Sequence, residues 1–256
     1  GVSETDLTTY PDATTSFAYT GTSFSVANQD SNPSGIAWDG THFWVVGASN
    51  LVHKYNASGV YQNVNFSVAS QGTSPMDIVW DGAYFWVINN ATSPYKRVSK
   101  YSAAGVYQNV FWEYNAVTTM EGEGLAWDGT YFWVVGNSTD TIRKFNAAGV
   151  DQGVSYSVAA QATNPKGITF DGTYLWVVGT ASGKAHKYNT SGVYQNESFA
   201  VNSQDTSAQG IVSIGTALWT IGKTTDSAYK YQNQIGVNSV SSGYGLLGQQ
   251  NYVRIK

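Results

Sequence analysis

The sequence contains no cysteine, which excludes disulfide bonds, thiolate zinc sites and cysteine nucleophiles. Charge is also scarce, because Lys, Arg, Asp and Glu make up 12% of the 256 residues and the formal net charge is −4. Without an excess of basic residues the chain does not suit a phosphate backbone, so general nucleic-acid binding is excluded. The three histidines leave little material for catalysis or metal binding. No apolar run approaches the ~18 residues of a membrane span.

The chain contains instead an internal repeat, which is its dominant feature. A motif of Trp or Phe, then Asp and Gly, begins at Trp38, Trp80, Trp127 and Phe170, and a degenerate copy begins at Ser213. An aromatic and apolar run follows each motif. Its tryptophan recurs at intervals of 42, 47, 43 and 43 residues, at Trp44, Trp86, Trp133, Trp176 and Trp219.

Each copy contains four short extended runs separated by turn residues. In the first copy these runs are Gly35–Trp38, Phe43–Val46, Val52–Tyr55 and Val60–Val68. The Asp-Gly pair between the first two runs indicates a hairpin, for which we expect a type I′ turn. Four antiparallel strands in each ~40–45 residues are typical of a propeller blade. We therefore predict an all-β fold, a single β-propeller domain spanning residues 1–256.

We expect six blades, because the chain ends also carry strand-like segments. Phe17–Val26 matches a fourth strand, whereas Gly245–Gly248 and Asn251–Ile255 resemble a first and a second strand. A terminal blade shared by residues 1–26 and 237–256 would close the ring by pairing N- and C-terminal strands, which removes exposed edges. In the alternative there are five blades, Phe17–Val26 completes the fifth, and the C-terminal residues pack elsewhere.

The repeated segments resemble those of known propeller families. Gly-Ile-Ala-Trp-Asp-Gly from Gly35, Phe-Trp-Val-Val-Gly from Phe43, Lys-Tyr-Asn from Lys54 and Gly-Val-Tyr from Gly59 resemble NHL-type and gluconolactonase-like six-bladed propellers. This resemblance implies architecture more than function, because the fold hosts many activities. The gluconolactonase-like enzymes bind a divalent metal with Glu, Asn and Asp around the channel, and no residue-by-residue match to that set is found. The low content of charged residues and the final segment Tyr252–Lys256 also resemble those of phage tail and virion-surface proteins.

Candidate ligand-binding residues come from positions where the repeat varies or is interrupted. The residue before the repeated glycine differs from copy to copy, whereas the residues on either side of it repeat. Such variation fits either a ligand-specific site built on the repeat or neutral variation of a surface position. The four repeated aspartates, by contrast, lie at hairpin turns too far apart to share a metal, so we interpret them as turn formers. The candidates are the acids Glu121 and Glu123, the other variable residues Lys166 and Gln209, the long-loop residues Tyr95 and Lys96, and the unusual aromatic pair Trp112 and Tyr114.

These observations favour a non-enzymatic binding module located outside a cell or on a virion surface. It would recognise glycans or another cell-surface ligand through loops on one face, without a cofactor, a metal or a catalytic residue. One alternative is a structural spike, fibre or filament subunit that contacts neighbouring protein copies. A further alternative is a metal-dependent, lactonase-like hydrolase that uses Glu121 or Glu123.

Overall fold

The computed structural model describes residues 15–90, 96–114 and 120–235. In these ranges it contains five four-stranded antiparallel sheets, and the innermost strands of consecutive sheets contact one another in a closed ring. The prediction of an all-β propeller with four-stranded antiparallel blades is confirmed.

Blades 1 to 4 each consist of four strands that are consecutive in the chain. Blade 1 comprises β2 (Pro33–Trp38), β3 (Phe43–Gly47), β4 (Leu51–Tyr55) and β5 (Tyr61–Ser67). Blade 2 comprises β6 (Pro75–Trp80), β7 (Tyr84–Asn90), β8 (Lys96–Ser102) and β9 (Tyr107–Glu113). Blade 3 comprises β10 (Gly122–Trp127), β11 (Tyr131–Gly136), β12 (Thr141–Asn146) and β13 (Asp151–Ser157). Blade 4 comprises β14 (Pro165–Phe170), β15 (Leu175–Gly179), β16 (Lys184–Tyr188) and β17 (Tyr194–Ala200).

Blade 5 combines both ends of the described chain. It comprises β18 (Ala208–Ile214), β19 (Ala217–Gly222), β20 (Ser227–Ile235) and, as its outermost strand, β1 (Thr15–Ser25). The expectation of six blades is wrong, and the five-blade alternative is correct. Phe17–Val26 does supply a fourth strand, as predicted. It pairs with β20 and so completes blade 5, which otherwise has only three strands, instead of joining a separate sixth blade. The segment 237–256, assigned to a shared sixth blade, lies outside the described residues.

The five predicted hairpins form, and in blades 1 to 4 an aspartate carboxylate organises them. In blade 3, Asp128 Oδ1 accepts hydrogen bonds from the N–H groups of Thr130 and Tyr131 at 2.8 and 2.7 Å. Its Oδ2 accepts from Trp133 Nε1 at 2.7 Å. The expected type I′ turn does not form, because only the glycine of the Asp-Gly pair has a positive φ, +95° at Gly129. The interpretation of these aspartates as turn formers agrees with this geometry.

The core lies between neighbouring blades and is largely aromatic. The repeated tryptophans of the second strands are 0–6% exposed. A second aromatic layer comes from the outermost strands, at Phe24, Phe66, Trp112, Tyr156 and Phe199. Each of the first four packs against a turn glycine of the next blade, as Trp112 does against Gly149, whose φ is +77°. The repeated turn glycine therefore supplies both a left-handed conformation and room for a ring.

Candidate functional site

The loop face is the side of the propeller on which the chain enters the inner strands; the opposite side, with the Asp-Gly turns, is the hairpin face. The variable position before the repeated glycine lies near the start of each inner strand, so its five residues surround the axis on the loop face. These residues are Ser34, Met76, Glu123, Lys166 and Gln209. They define the axial mouth.

Glu123 supplies the carboxyl group of the axial mouth, and only 4% of its surface is exposed. Its Oε1 accepts a hydrogen bond from Asn137 Nδ2 at 2.7 Å, and its Oε2 lies 3.1 Å from Lys166 Nζ. Burial raises the pKa of Glu123, whereas the charges of Lys166 and Lys223 act in the opposite direction. The result is a carboxyl group that holds its proton at higher pH than a free glutamic acid does.

Glu121 and Lys96 form a second ion pair on the same face. Glu121 Oε1 lies 3.6 Å from Lys96 Nζ, and 49% of the Glu121 side chain is exposed. This pair is solvated, so it contributes little to stability. The fold thus brings four of the predicted residues together as two ion pairs, Glu121 with Lys96 and Glu123 with Lys166. Tyr95 lies outside the described residues.

A cavity of about 260 Å³ opens between blades 5, 1 and 2 on the loop face. Ser34, Met76 and Gln209 of the axial mouth line it, together with Lys223. Gln209 is buried and donates from Nε2 to Ser207 Oγ at 3.0 Å. Glu123 and Lys166 do not line this cavity; they belong to the part of the axial mouth that blades 3 and 4 supply.

Trp112 and Tyr114 lie in the core and not on the loop face. Trp112 is 6% exposed and stacks on Phe145, with ring centroids 5.0 Å apart. Tyr114 is fully buried, and its hydroxyl donates to the Asn89 carbonyl oxygen at 2.9 Å, while burial raises its pKa. The unusual aromatic cluster in the sequence predicted a binding surface for these two residues. Trp112 instead occupies the same inter-blade position as Phe66 in blade 1, so it is part of the repeated core.

One residue that the sequence reasoning missed is Asp77. The inner strands of the other four blades carry glycine at this position, at Gly35, Gly124, Gly167 and Gly210. Asp77 is 1% exposed, and its carboxylate reaches into blade 3 through the N–H of Leu125. The signal was present, because an aspartate replaces glycine at an otherwise repeated position.

The histidines do not form a catalytic or metal centre with one another. His53 Nε2 lies 3.3 Å from Ser49 Oγ in blade 1, and His186 Nε2 lies 3.2 Å from Ser182 Oγ in blade 4. Within residues 15–90, 96–114 and 120–235, no group of three or more His, Asp or Glu residues is placed to hold a metal ion. In the same ranges no helix is long and apolar enough to cross a membrane.

No protein-family model and no curated protein sequence matches this chain. Solved structures do match. Glutaminyl cyclase from Myxococcus xanthus has a TM-score of 0.65 and 10% identity, and the match covers 87% of this chain and 98% of that one. The aldose sugar dehydrogenase of Streptomyces coelicolor has a TM-score of 0.59 and 12% identity, covering 88% and 100%. A nidogen/laminin complex matches with a TM-score of 0.50 and 14% identity, covering 77% and 74%.

These comparisons show the propeller fold and correct two expectations. The prediction that the chain is not an enzyme is contradicted, because the cyclase and the dehydrogenase are enzymes on a similar fold. That prediction relied on the lack of a familiar catalytic motif, and such a lack does not exclude catalysis on a propeller. The resemblance to phage tail and virion-surface proteins is not supported. Glycan binding and a location outside a cell stay predictions.

Proposed function

We propose that this chain binds a small polar molecule at the axial mouth and catalyses a proton transfer on it through the Glu123 carboxyl group. The observation that carries the proposal is the buried position of Glu123, with a raised pKa and two fixed partners, Asn137 and Lys166. A general acid or base works best when its pKa is close to the operating pH, and burial is a common means of tuning it.

The surrounding groups favour a ligand with several hydroxyl or amide groups. Ser34 and Gln209 supply a hydroxyl and an amide beside the cavity, and Lys223 supplies an ammonium group. Asn137 Oδ1 is buried beside Glu123 and has no hydrogen-bond partner among the described residues, so it is an acceptor for a ligand that reaches Glu123. Saccharides match this chemistry, and we would test them first. The sugar dehydrogenase resembles this chain in fold alone, so it supports no residue assignment.

A screen of neutral mono- and disaccharides by ligand-observed NMR, followed by time courses of the compounds that bind, tests the proposal. We expect at least one compound to be converted. Glu123→Gln should lower the rate by ~10²-fold or more, because general acid–base catalysis is typically worth 10²–10⁴-fold. Glu121→Gln is the matched control, since Glu121 lies on the solvated rim, and it should retain most activity. Conversion at an unchanged rate by the Glu123 variant would contradict the catalytic role.

A second candidate is protein binding through the rim of the hairpin face. Val60, Val106, Val150 and Val193 occupy one repeat position there and are 57–61% exposed, which is unusual for large apolar side chains. The four valines lie in four different blades and so form separate apolar positions around the rim, which fits repeated contacts with neighbouring copies of the chain. Sedimentation velocity over a concentration series, with Val106→Asp and Val150→Asp combined, tests it. A monomer at every concentration would count against this candidate.

A further inference from the structure

The inner strand of each blade presents one edge to the propeller axis, where no further strand can pair with it. Edge N–H groups that are buried in this way need another acceptor. In blades 1 to 3 the acceptor is the Asp77 side chain, which is 1% exposed, whereas the N–H of Ser213 in blade 5 donates to Thr169 Oγ1 of blade 4.

The Asp77 carboxylate collects N–H groups from three blades. Oδ1 accepts from its neighbour Ile78 at 2.9 Å, and Oδ2 accepts from Leu125 of blade 3 at 3.0 Å. The backbone N–H of Ile36 in blade 1 also faces the Asp77 carboxyl group and lowers its pKa. Burial raises the pKa of Asp77, while these donors act in the opposite direction. The three donors occupy the same position in their strands, directly after the glycine or aspartate.

The glycines of the other blades explain why a single side chain fits in this ring. A Cβ atom on Gly35 would lie 2.5 Å from both Cα and Oδ1 of Asp77. A Cβ on Gly124 would lie 2.7 Å from the Lys166 carbonyl oxygen. Contacts this short are not tolerated between a Cβ and backbone. The inner strands therefore approach so closely that four positions stay empty and the fifth fills the space.

We propose that the three backbone N–H groups on the axis form a binding site for a carboxyl group, and that the Asp77 side chain is its built-in occupant. With glycine at position 77, as in the other blades, the site would take a small free carboxylate such as formate. Oriented backbone N–H groups form anion sites in other proteins for the same reason. The occupied ring closes the axis, so a ligand of the axial mouth enters and leaves by the loop face. This inference does not depend on the catalytic role of Glu123.

Thermal unfolding of Asp77→Gly in sodium formate and in sodium pivalate, at equal ionic strength, tests the proposal. Pivalate has the same charged group but is too bulky for the ring. In pivalate we expect the variant to melt about 4 °C or more below the parent protein, and in formate to recover at least half of that loss, saturably. Asp77→Asn is the matched control, because its amide fills the ring and should leave no response to formate.

Direct binding gives a second readout. Carbon-13 formate should show exchange broadening with Asp77→Gly and none with the parent protein. If Asp77→Gly does not fold in pivalate, refolding from denaturant in formate should restore a folded fraction that pivalate does not. Equal effects of formate and pivalate on the variant, a variant as stable as the parent, or failure to refold in both salts would each overturn the proposal.

Discussion

Blade 5 and the other four blades come from the same repeat but are held together by different means. In blades 1 to 4 the Asp carboxylate binds two turn N–H groups and a tryptophan, as Asp171 does with Trp176. Blade 5 has Ile214 at this position, and its ladder continues by one more pair, Ile214↔Ala217, to a two-residue turn. The backbone ladder thus replaces the carboxylate. The aspartate of the repeat can therefore be lost where the backbone ladder satisfies the turn N–H groups that the carboxylate would otherwise bind.

A second difference concerns the outermost strand. In blades 1 to 4 it follows its neighbour directly in the chain, whereas in blade 5 it is β1, far away in sequence. Phe24 of β1 packs against Phe43 of blade 1 and Trp219 of blade 5, and Phe17 packs against Trp176 of blade 4. One strand therefore fastens blade 5 to both of its neighbours.

The largest expected effect comes from removing that strand. A chain that begins at residue 27 leaves the β20 edge unpaired and removes Phe17 and Phe24 from two inter-blade cores. We expect this loss to match or exceed the whole stability of a typical domain, about 5–15 kcal/mol, so that circular dichroism shows no cooperative melt. The full chain of 256 residues is the control and should show one cooperative transition. Addition of a peptide covering residues 15–26 should restore the transition.

The next prediction compares the stability lost by a glycine substitution on the axis with that lost by one in the blade 5 turn. Gly167→Ala places a Cβ 2.7 Å from the Gln209 carbonyl oxygen, so blades 4 and 5 must move apart. We expect a loss of about 3 kcal/mol or more, in the range of overpacking and lost backbone contacts. Gly215→Ala in the turn meets nothing within 4 Å but keeps a φ of +59°, so it should cost about 1 kcal/mol. Urea unfolding of both variants measures the difference, and equal losses would contradict the ring geometry.

A smaller effect separates the two kinds of hairpin. Asp128→Ala leaves the N–H groups of Thr130 and Tyr131 and the indole N–H of Trp133 without their acceptor. We expect a loss of about 2–3 kcal/mol, since an unsatisfied buried donor costs about 1–3 kcal/mol and the turn is partly solvated. Ile214→Ala, the same position in blade 5, should cost about 1 kcal/mol, because its turn has no carboxylate to lose. If urea unfolding shows a larger loss for Ile214→Ala than for Asp128→Ala, the backbone pairing in blade 5 stabilises its turn more than the carboxylate stabilises the turn of blade 3.

The smallest effect is in the pH dependence of stability. Burial lowers the pKa of His186 to about 4, from 6.5, and blade 5 has Tyr229 at the same position of its third strand. The unfolded chain binds this proton first, so stability falls as the pH drops from about 6.5 to 4. His186→Gln should remove part of this fall, on the order of 1–2 kcal/mol, in urea unfolding at both pH values. His53→Gln should remove less, because the nearby Asp30 charge opposes burial there.

The repeat made the blades predictable, because hydrophobic alternation and turn residues act over a few neighbouring residues. All four strands of blade 1 begin and end within two residues of the predicted bounds. The ion pair of Glu123 with Lys166 joins two predicted residues, but their contact follows from the closed ring and could not be read from spacing. Trp112 shows the reverse: an unusual residue in sequence is ordinary core in space, because the next blade covers it.

The fold class, the four-stranded blade and the hairpin positions follow from the amino-acid sequence alone, since these depend on local turn chemistry and on strand alternation. The number of blades depends on the tertiary structure, because blade 5 is complete only when β1 pairs with β20, which lies about 200 residues later in the chain. The tertiary structure also decided which charges are buried. Asp77 and Asp81 are four residues apart, yet the first lies on the axis and the second in a hairpin turn, because only ring closure brings the inner strand edges together.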